Sequence, residues 1–331
     1  MPELRLNLIS REWVAILTDR PRDPSEFRTR TAVRHLPEHS ETCPFCVGNE
    51  SKTPEELMRT PATGQWHVRV TPNKYSVLST EGERIRYTNG MKRAITGVGR
   101  HEVIVETERH DLTMAQMEVP RINEVISAYK ERFHEAFFDR RIQHVILFKN
   151  HGADSGTNIT HPHSQLVGLP VMPLEIRYRV DEAMRFFDNT GQCLMCSVIK
   201  DEMEEGKRVI VDTDAFISVV PYAAISPFHL WIFPKRHMAS FGNITDSETE
   251  DLARNLKQTL GKIYYGLDDP SFNMVLRSLS PYRSRSEYVH WYISIVPRVF
   301  KTTGMELGSG IFVNPTVPEQ VAEFLRGVKL P

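Results

Sequence analysis

The chain has 331 residues, enough for two domains or for one core built from duplicated parts. Its 40% hydrophobic and 25% charged residues are ordinary for a globular protein, and a net charge of −1 argues against nucleic acid as a partner. No apolar run approaches the roughly 18 residues that span a bilayer, and Met1-Pro-Glu-Leu-Arg5 lacks the apolar core of a signal peptide. The sequence therefore predicts a cytoplasmic protein with no membrane partner.

In chain order, the first landmark is Cys43-Pro-Phe-Cys46, matched 150 residues later by Cys193-Leu-Met-Cys196; the chain has no other cysteine. Each pair follows a loop-like approach rather than opening a long helix, which favours metal binding over thioredoxin-like redox chemistry. After the first pair, strands are predicted over 66–71, 75–79 and 102–106, followed by His110. The capping box Thr113-x-x-Gln116 then announces a helix carrying Ile122, Val125, Ile126, Tyr129, Phe133 and Phe137 at helical spacing, with Pro120 near its start. Strands over 143–148 and 165–169 close this half, and a helical connector over 173–192 leads to the second cysteine pair. Strands over 215–220 and 229–233, His237, the capping box Thr245-x-x-Glu248 and a helix with Leu252, Leu256, Leu260 and Ile263 repeat the order. Strands over 273–276 and 291–296 complete it. His110 and His237 lie 127 residues apart, as do Pro170 and Pro297, which sets His163 against His290 and His161 against Tyr288. The shared order implies an internal duplication with an α+β fold.

Tetrahedral zinc takes four nitrogen or sulfur ligands, and C-x-x-C with two distant histidines is a closed structural set. Each half supplies one: Cys43, Cys46, His110 and His161 in the first, Cys193, Cys196, His237 and His290 in the second. Two Zn²⁺ per chain are expected. His101, His151 and His229 are left without a definite role.

Between the last two strands of the first half lies Asn150-His-Gly152-Ala-Asp-Ser155-Gly156, followed by His161-Pro-His163-Ser-Gln165. In an extended segment, His161, His163 and Gln165 project from one face. Two imidazoles and a neutral amide behind a Gly-rich loop suit attack on phosphorus: one histidine as nucleophile, another on metal, loop N–H groups on phosphate oxygens.

Together, Cys-Pro-Phe-Cys46, the Asn73 of Val70-Thr-Pro-Asn-Lys, the Asn150-x-Gly152 loop and His161-Pro-His163-x-Gln165 resemble the galactose-1-phosphate uridylyltransferase family, a branch of the histidine-triad superfamily. The resemblance covers nearly the whole chain. It implies two tandem histidine-triad-like domains, 1–172 with the nucleophile and 173–331, each an antiparallel half-barrel sheet packed with helices. It also implies a homodimer with active sites near the subunit interface. The implied reaction is ping-pong: His163 takes UMP from UDP-glucose, and galactose 1-phosphate then collects it. Asn150, Gly152, Ser155 and Gly156 would hold phosphate oxygens, Gln165 would donate a hydrogen bond without acting as acid or base, Arg20 and Arg22 would bind the diphosphate, and Asn73 the nucleoside. The segment from Phe300 to Asn314 falls in the family's hexose-binding region. It keeps Glu306 but has Met305 where the enterobacterial pattern has tyrosine. That departure, with the second C-x-x-C, resembles the plant-type branch containing ADP-glucose phosphorylase, which moves adenylyl and accepts inorganic phosphate. A third alternative is a zinc-stabilised nucleotide-binding module without catalysis.

Overall fold

The computed structural model describes residues 1–28, 36–283 and 287–331; His35, which the sequence gives no role, lies outside them. The first half contains β1 (Glu3–Leu6), β2 (Trp13–Ile16), β3 (Met58–Thr60), β4 (Val68–Pro72), β5 (Arg86–Asn89), β6 (Lys92–Ile95), β7 (Arg100–Val105), α1 (Val119–Phe138), β8 (His144–His151) and β9 (His163–Leu169). The connector is α2 (Leu174–Thr190). The second half contains α3 (Leu194–Glu205), β10 (Val209–Asp212), β11 (Phe216–Val219), β12 (Leu230–Pro234), α4 (Asp246–Leu267), β13 (Phe272–Arg277), β14 (Tyr292–Pro297), α5 (Gly304–Ser309), β15 (Phe312–Asn314) and α6 (Pro318–Gly327).

Among the described residues, ten strands form one sheet in the order β10-β11-β12-β14-β13-β8-β9-β7-β4-β3. Outward from its centre the two halves have the same order, as duplication demands. They meet where β8 and β13 pair antiparallel, Phe148 opposite Val275 and Asn150 opposite Asn273. The α+β architecture of two like halves is thus present, with their half-sheets fused edge to edge. A smaller sheet, β1-β2-β15, ties the N-terminal strands to the end of the chain through the parallel pairing of β2 and β15.

One face of the large sheet is covered by α1 and α4. Ile122, Val125, Ile126, Tyr129 and Phe133 of α1, with Leu252, Leu256, Leu260 and Ile263 of α4, are at most 3% exposed. They pack on Val145, Leu147, Leu166, Ile232 and Ile293. Each such side chain contributes roughly 1.5–3 kcal/mol on leaving water, so this face carries the stability and leaves the other free for chemistry.

Several local expectations differ from the structure. Thr245 caps α4 through the predicted box. Thr113 does not cap α1: its carbonyl accepts from Gln116 and Met117 in a turn, and the helix starts at Val119, with proline in its first positions. Pro120 lacks the N–H that a later position would need, so it sets the start. The predicted strand over 75–79 is absent, because Asn73 Oδ1 and Ser76 Oγ accept the N–H groups of Tyr75 and Leu78 in local turns. The second cysteine pair does open a helix: Cys193 is the N-cap residue of α3.

Candidate active site and metal centres

β9 begins at His163, so its alternation sends His163, Gln165 and Val167 to the face opposite the helices, while Ser164 and Leu166 point into the core. On the open face lies a cleft of about 540 Å³ whose lining includes Phe45, Asn73, Val103, Gly156, His163 and Gln165, a volume suited to a nucleotide-sized ligand. Lys52 and Lys74 sit at its rim and supply positive charge.

The His163 ring is fixed in one tautomer. Its Nδ1–H donates to the His161 carbonyl at 2.7 Å, which leaves the Nε2 lone pair unused. Burial is the main influence on its pKa and pushes it below the usual histidine value, so the ring is neutral and nucleophilic. Phe45 meets it edge-on at 5.2 Å between centroids. Behind it, Glu106 accepts hydrogen bonds from Lys149 (2.5 Å), Ser164 (2.5 Å) and Tyr129 (2.8 Å), all buried. Burial pushes the Glu106 pKa up, but the Lys149 ammonium and these three donors outweigh it and keep the carboxylate ionised.

Gln165 is oriented by a chain of partners. The Val77 N–H donates to His101 Nδ1 at 3.4 Å, which puts the proton of His101 on Nε2. That N–H donates to Gln165 Oε1 at 2.8 Å, and Asn73 Nδ2 donates to the same oxygen at 3.3 Å. With its carbonyl engaged twice, Gln165 presents its NH₂ group as a donor. His101, without a role from sequence, is therefore a site residue; its spacing to Val103 and Val105 on one strand face was the available signal.

The loop after β8 is docked on the second half. Asn273 Nδ2 donates to Asn150 Oδ1 (2.7 Å) and to the Ser155 carbonyl (2.9 Å), and Ser271 Oγ accepts from Asp154 N–H at 3.2 Å. Gly152 is required here: φ is +78°, and a Cβ would lie 2.3 Å from Ser271 Oγ. Gly156, at φ +89°, turns the chain along the cleft wall. Of the residues expected from sequence, the structure brings His163, Gln165, Asn73 and Gly156 to the cleft itself. Asn150, Gly152 and Ser155 form the loop's base. Arg20, Arg22 and Glu306 do not line this cleft: Arg22 is exposed over Phe27, and Glu306 is buried accepting from Thr303 at the start of α5.

The two expected metal sets assemble. The ligand atoms of Cys43, Cys46, His110 and His161 all lie within 4.8 Å of one another, as do those of Cys193, Cys196, His237 and His290. Cys46 Sγ is 3.5 Å from the Nδ1 atoms of both His110 and His161, and Cys196 Sγ is 3.3 and 3.4 Å from those of His237 and His290. A zinc tetrahedron with bonds of about 2.0 Å to nitrogen and 2.3 Å to sulfur has edges of about 3.5 Å. The opposite nitrogens are anchored: His161 Nε2 on the Thr107 carbonyl (2.8 Å), His290 Nε2 on that of Pro234 (2.9 Å), and His110 Nε2 on Thr160 Oγ1 (3.0 Å). Such partners fix the tautomer that leaves Nδ1 free for metal. Burial holds His161 down at about 4, which keeps it neutral. The donor set, spacing and second contacts fit a closed site with no open coordination position.

The same comparison corrects the register of the duplication. His290 takes the part of His161, so Tyr292, not His290, stands where His163 stands. Sheet pairing agrees: Gln165 lies opposite Val103, and Ser294 opposite Trp231. The equal spacing of Pro170 and Pro297 is coincidental to this register. In the second half Trp231, Met195 and Ile9 pack together with Tyr292, filling the space that the first half leaves open beside Val103. Among the described residues, it is the first half that sets an unpartnered histidine nitrogen, Nε2 of His163, beside the larger cleft.

Comparison with known proteins agrees with this geometry. Residues 1–173 match the N-terminal domain of galactose-1-phosphate uridyl transferase, and residues 179–292 its C-terminal domain. The chain is 34% identical to ADP-glucose phosphorylase of Arabidopsis thaliana, over 99% of its own length and 93% of that protein's. It is 26% identical to galactose-1-phosphate uridylyltransferase of Thermotoga maritima, with 98% of each covered. The crystal structure of the Arabidopsis thaliana phosphorylase with bound ADP-glucose is similar over the whole of both chains, with TM-score 0.84 and 33% identity. The chain therefore belongs to the galactose-1-phosphate uridylyltransferase family and is a nucleotidyltransferase.

Proposed function

We propose that this enzyme transfers a nucleotidyl group from a nucleotide sugar through a covalent nucleotidyl–His163 intermediate, with ADP-glucose as donor and inorganic phosphate as acceptor. The observation that carries the covalent step is the His163 ring, neutral, with Nδ1–H tied to a carbonyl and Nε2 unpartnered at the cleft. Nε2 attacks the α-phosphorus, the bond from that phosphorus to the bridging oxygen breaks, and sugar 1-phosphate leaves as a stable anion that needs no strong general acid. A phosphate oxygen of the acceptor then attacks the same phosphorus, a P–O bond forms as the P–N bond breaks, and the electron pair of that bond returns to Nε2. Gln165 NH₂ and the loop N–H groups near Gly156 hold the charge on the non-bridging oxygens through both steps. The absence of a titrating group at Gln165 disfavours activation of water over activation of phosphate.

The choice of ADP-glucose rests on the likeness to the Arabidopsis phosphorylase over the full chain. A second reading, UMP transfer from UDP-glucose to galactose 1-phosphate, is supported by the Thermotoga relative and uses the same histidine. In both readings two Zn²⁺ brace the loops at the two ends of the sheet rather than activate substrate. The functional form is a homodimer of chains divided into units 1–172 and 173–331. A second copy would supply Arg20, Arg22 and the segment around Glu306, which their own chain keeps away from its cleft.

The test is exchange kinetics with ADP-glucose and UDP-glucose, each against inorganic phosphate and galactose 1-phosphate, together with α-³²P labelling of the protein. ADP-glucose with phosphate should turn over fastest, and the label should be acid-labile and absent from His163→Ala. Faster turnover of UDP-glucose with galactose 1-phosphate selects the second reading. Label retained by the variant removes His163 as nucleophile in either.

A further inference from the structure

In the second half, the position equivalent to the nucleophile is not merely vacated; it is rebuilt around positive charge. Tyr292 stands in place of His163, and Arg277 lies directly opposite it on β13. The connector α2 lies over this part of the sheet and brings Arg179, whose Nη1–H donates to Tyr292 Oη at 2.7 Å. A space of about 30 Å³ remains between them, lined by Arg179, Arg277 and Tyr292, by the polar Ser278 and His290, and otherwise by apolar side chains.

The donors around this void lack acceptors. The Nε atoms of both Arg179 and Arg277 are buried without a hydrogen-bond partner. Among the described residues, the Tyr292 hydroxyl receives Arg179 and has no acceptor for its own proton. Carboxylates do not resolve this. Glu175 reaches Arg179 Nη2 at 3.7 Å from an exposed position on the same helix, and Glu12 and Glu175 both favour the charged form of the two arginines, but neither gives an Nε–H an acceptor. Burial is the main influence on Arg277 and pulls its pKa down, and the like charge of Arg179 adds to it. His229, immediately before β12, is held neutral by burial and by both guanidinium groups, and its Nδ1 also has no partner. A buried donor left unmade is costly, and two guanidinium groups facing one space repel unless something negative lies between them.

We propose that this space binds one monovalent anion of chloride size, which fastens α2 onto the second half. The chemistry selects the occupant. An anion accepts from both Nε–H groups and the tyrosine hydroxyl at once and neutralises the pair. A water molecule accepts from at most two of them and carries no charge to offset the two guanidinium groups. About 30 Å³ is room for a single small ion or water. The second half thus exchanges a substrate phosphate at a reactive histidine for a permanent small anion at a tyrosine, and gains a clamp on the connector between the halves.

The experiment uses the full, metal-loaded chain in gluconate buffer, unfolded thermally across a chloride titration at constant ionic strength. A saturable rise in Tm of about 2–4 °C is expected for a ligand that binds only the folded state. Crystals soaked in bromide should show an anomalous peak within hydrogen-bond distance of both Nε atoms. Arg277→Met, which keeps the stem and removes the charge, should lose the chloride dependence. If that variant does not fold, Tyr292→Phe removes one donor and should raise the half-saturating chloride concentration about tenfold. Equal Tm in gluconate and chloride, no bromide peak, or a chloride response unchanged in these variants overturns the proposal.

Discussion

Glu106→Gln is the perturbation on which the buried chemistry behind His163 can be tested most directly. Glu106 and Lys149 have side-chain exposures of 0% and 2%, so solvent screens neither charge. The substitution keeps the shape of the side chain but removes its charge, and it confronts the Lys149 ammonium with an amide. One amide oxygen must then serve three donors that two carboxylate oxygens had shared: Lys149, Ser164 and Tyr129. Breaking a buried pair by removing one partner costs about 3–5 kcal/mol. At roughly 2.1 cal/mol/K per residue, a chain of 331 residues loses about 1.4 °C of Tm per kcal/mol, so the expected fall is about 4–7 °C. Calorimetry on metal-loaded protein measures it, with Lys149→Met and the double variant completing a cycle. The double variant removes both charges and should recover about 2 kcal/mol or more relative to the sum of the singles. A loss below about 1 kcal/mol for Glu106→Gln, or strict additivity in the cycle, refutes the claim that the pair is coupled and buried.

Elemental analysis should find close to two metal ions per chain, and Cys193→Ser should lose one of them while chelation of both lowers Tm; one ion or none in the wild type contradicts the paired sites. Asn273→Ala removes two hydrogen bonds that hold Asn150 and the Ser155 carbonyl, so kcat should fall about tenfold with KM nearly unchanged. A rise in KM alone would show that the loop takes its position from elsewhere. Val103→Trp copies the second half's filling into the first. Overpacking of about 1–3 kcal/mol should weaken nucleotide-sugar binding roughly 5- to 150-fold, and an unchanged KM would place the substrate in another part of the cleft.

Much of this was legible in the sequence where the signal is local. α1 and α4 follow from helical spacing of apolar residues, and the metal sets from paired C-x-x-C motifs with histidines in parallel places. His163 and Gln165 share a face because alternation in an extended strand requires it. What was not legible depends on distant partners. The fusion of the two half-sheets needs β8 to meet β13, and nothing within either strand announces its neighbour. Thr113 matched the pattern of a capping box, yet Pro120, seven residues on, decided where the helix starts. The strand over 75–79 was lost to side-chain acceptors two residues back, which compete with the ladder for backbone N–H groups. His101 gained a role only when Val77 and Gln165 were placed on either side of it. Arg20, Arg22 and Glu306 carry a family resemblance in sequence, but their own chain holds them away from His163, so proximity could not be inferred from type.

The two halves show how a duplicated fold can stay open in one copy and be packed shut in the other. Both keep a Cys₂His₂ group, the strand order and a side chain two residues beyond that group's last histidine. At that side chain the first half has an imidazole that is neutral and open to a cleft. The second has a phenol hydrogen-bonded to Arg179 and covered by α2. Beside it, Val103 leaves a slot that Trp231 fills. A few side chains thus separate an open cleft in one copy from a packed support in the other, and the support is not idle. Through Ser271 and Asn273 it holds the loop from Gly152 to Ser155, and Gly152 has no room against Ser271 for a side chain. The first half therefore takes the geometry of the loop beside His163 from the second, which is a physical reason for the two to remain joined through one sheet.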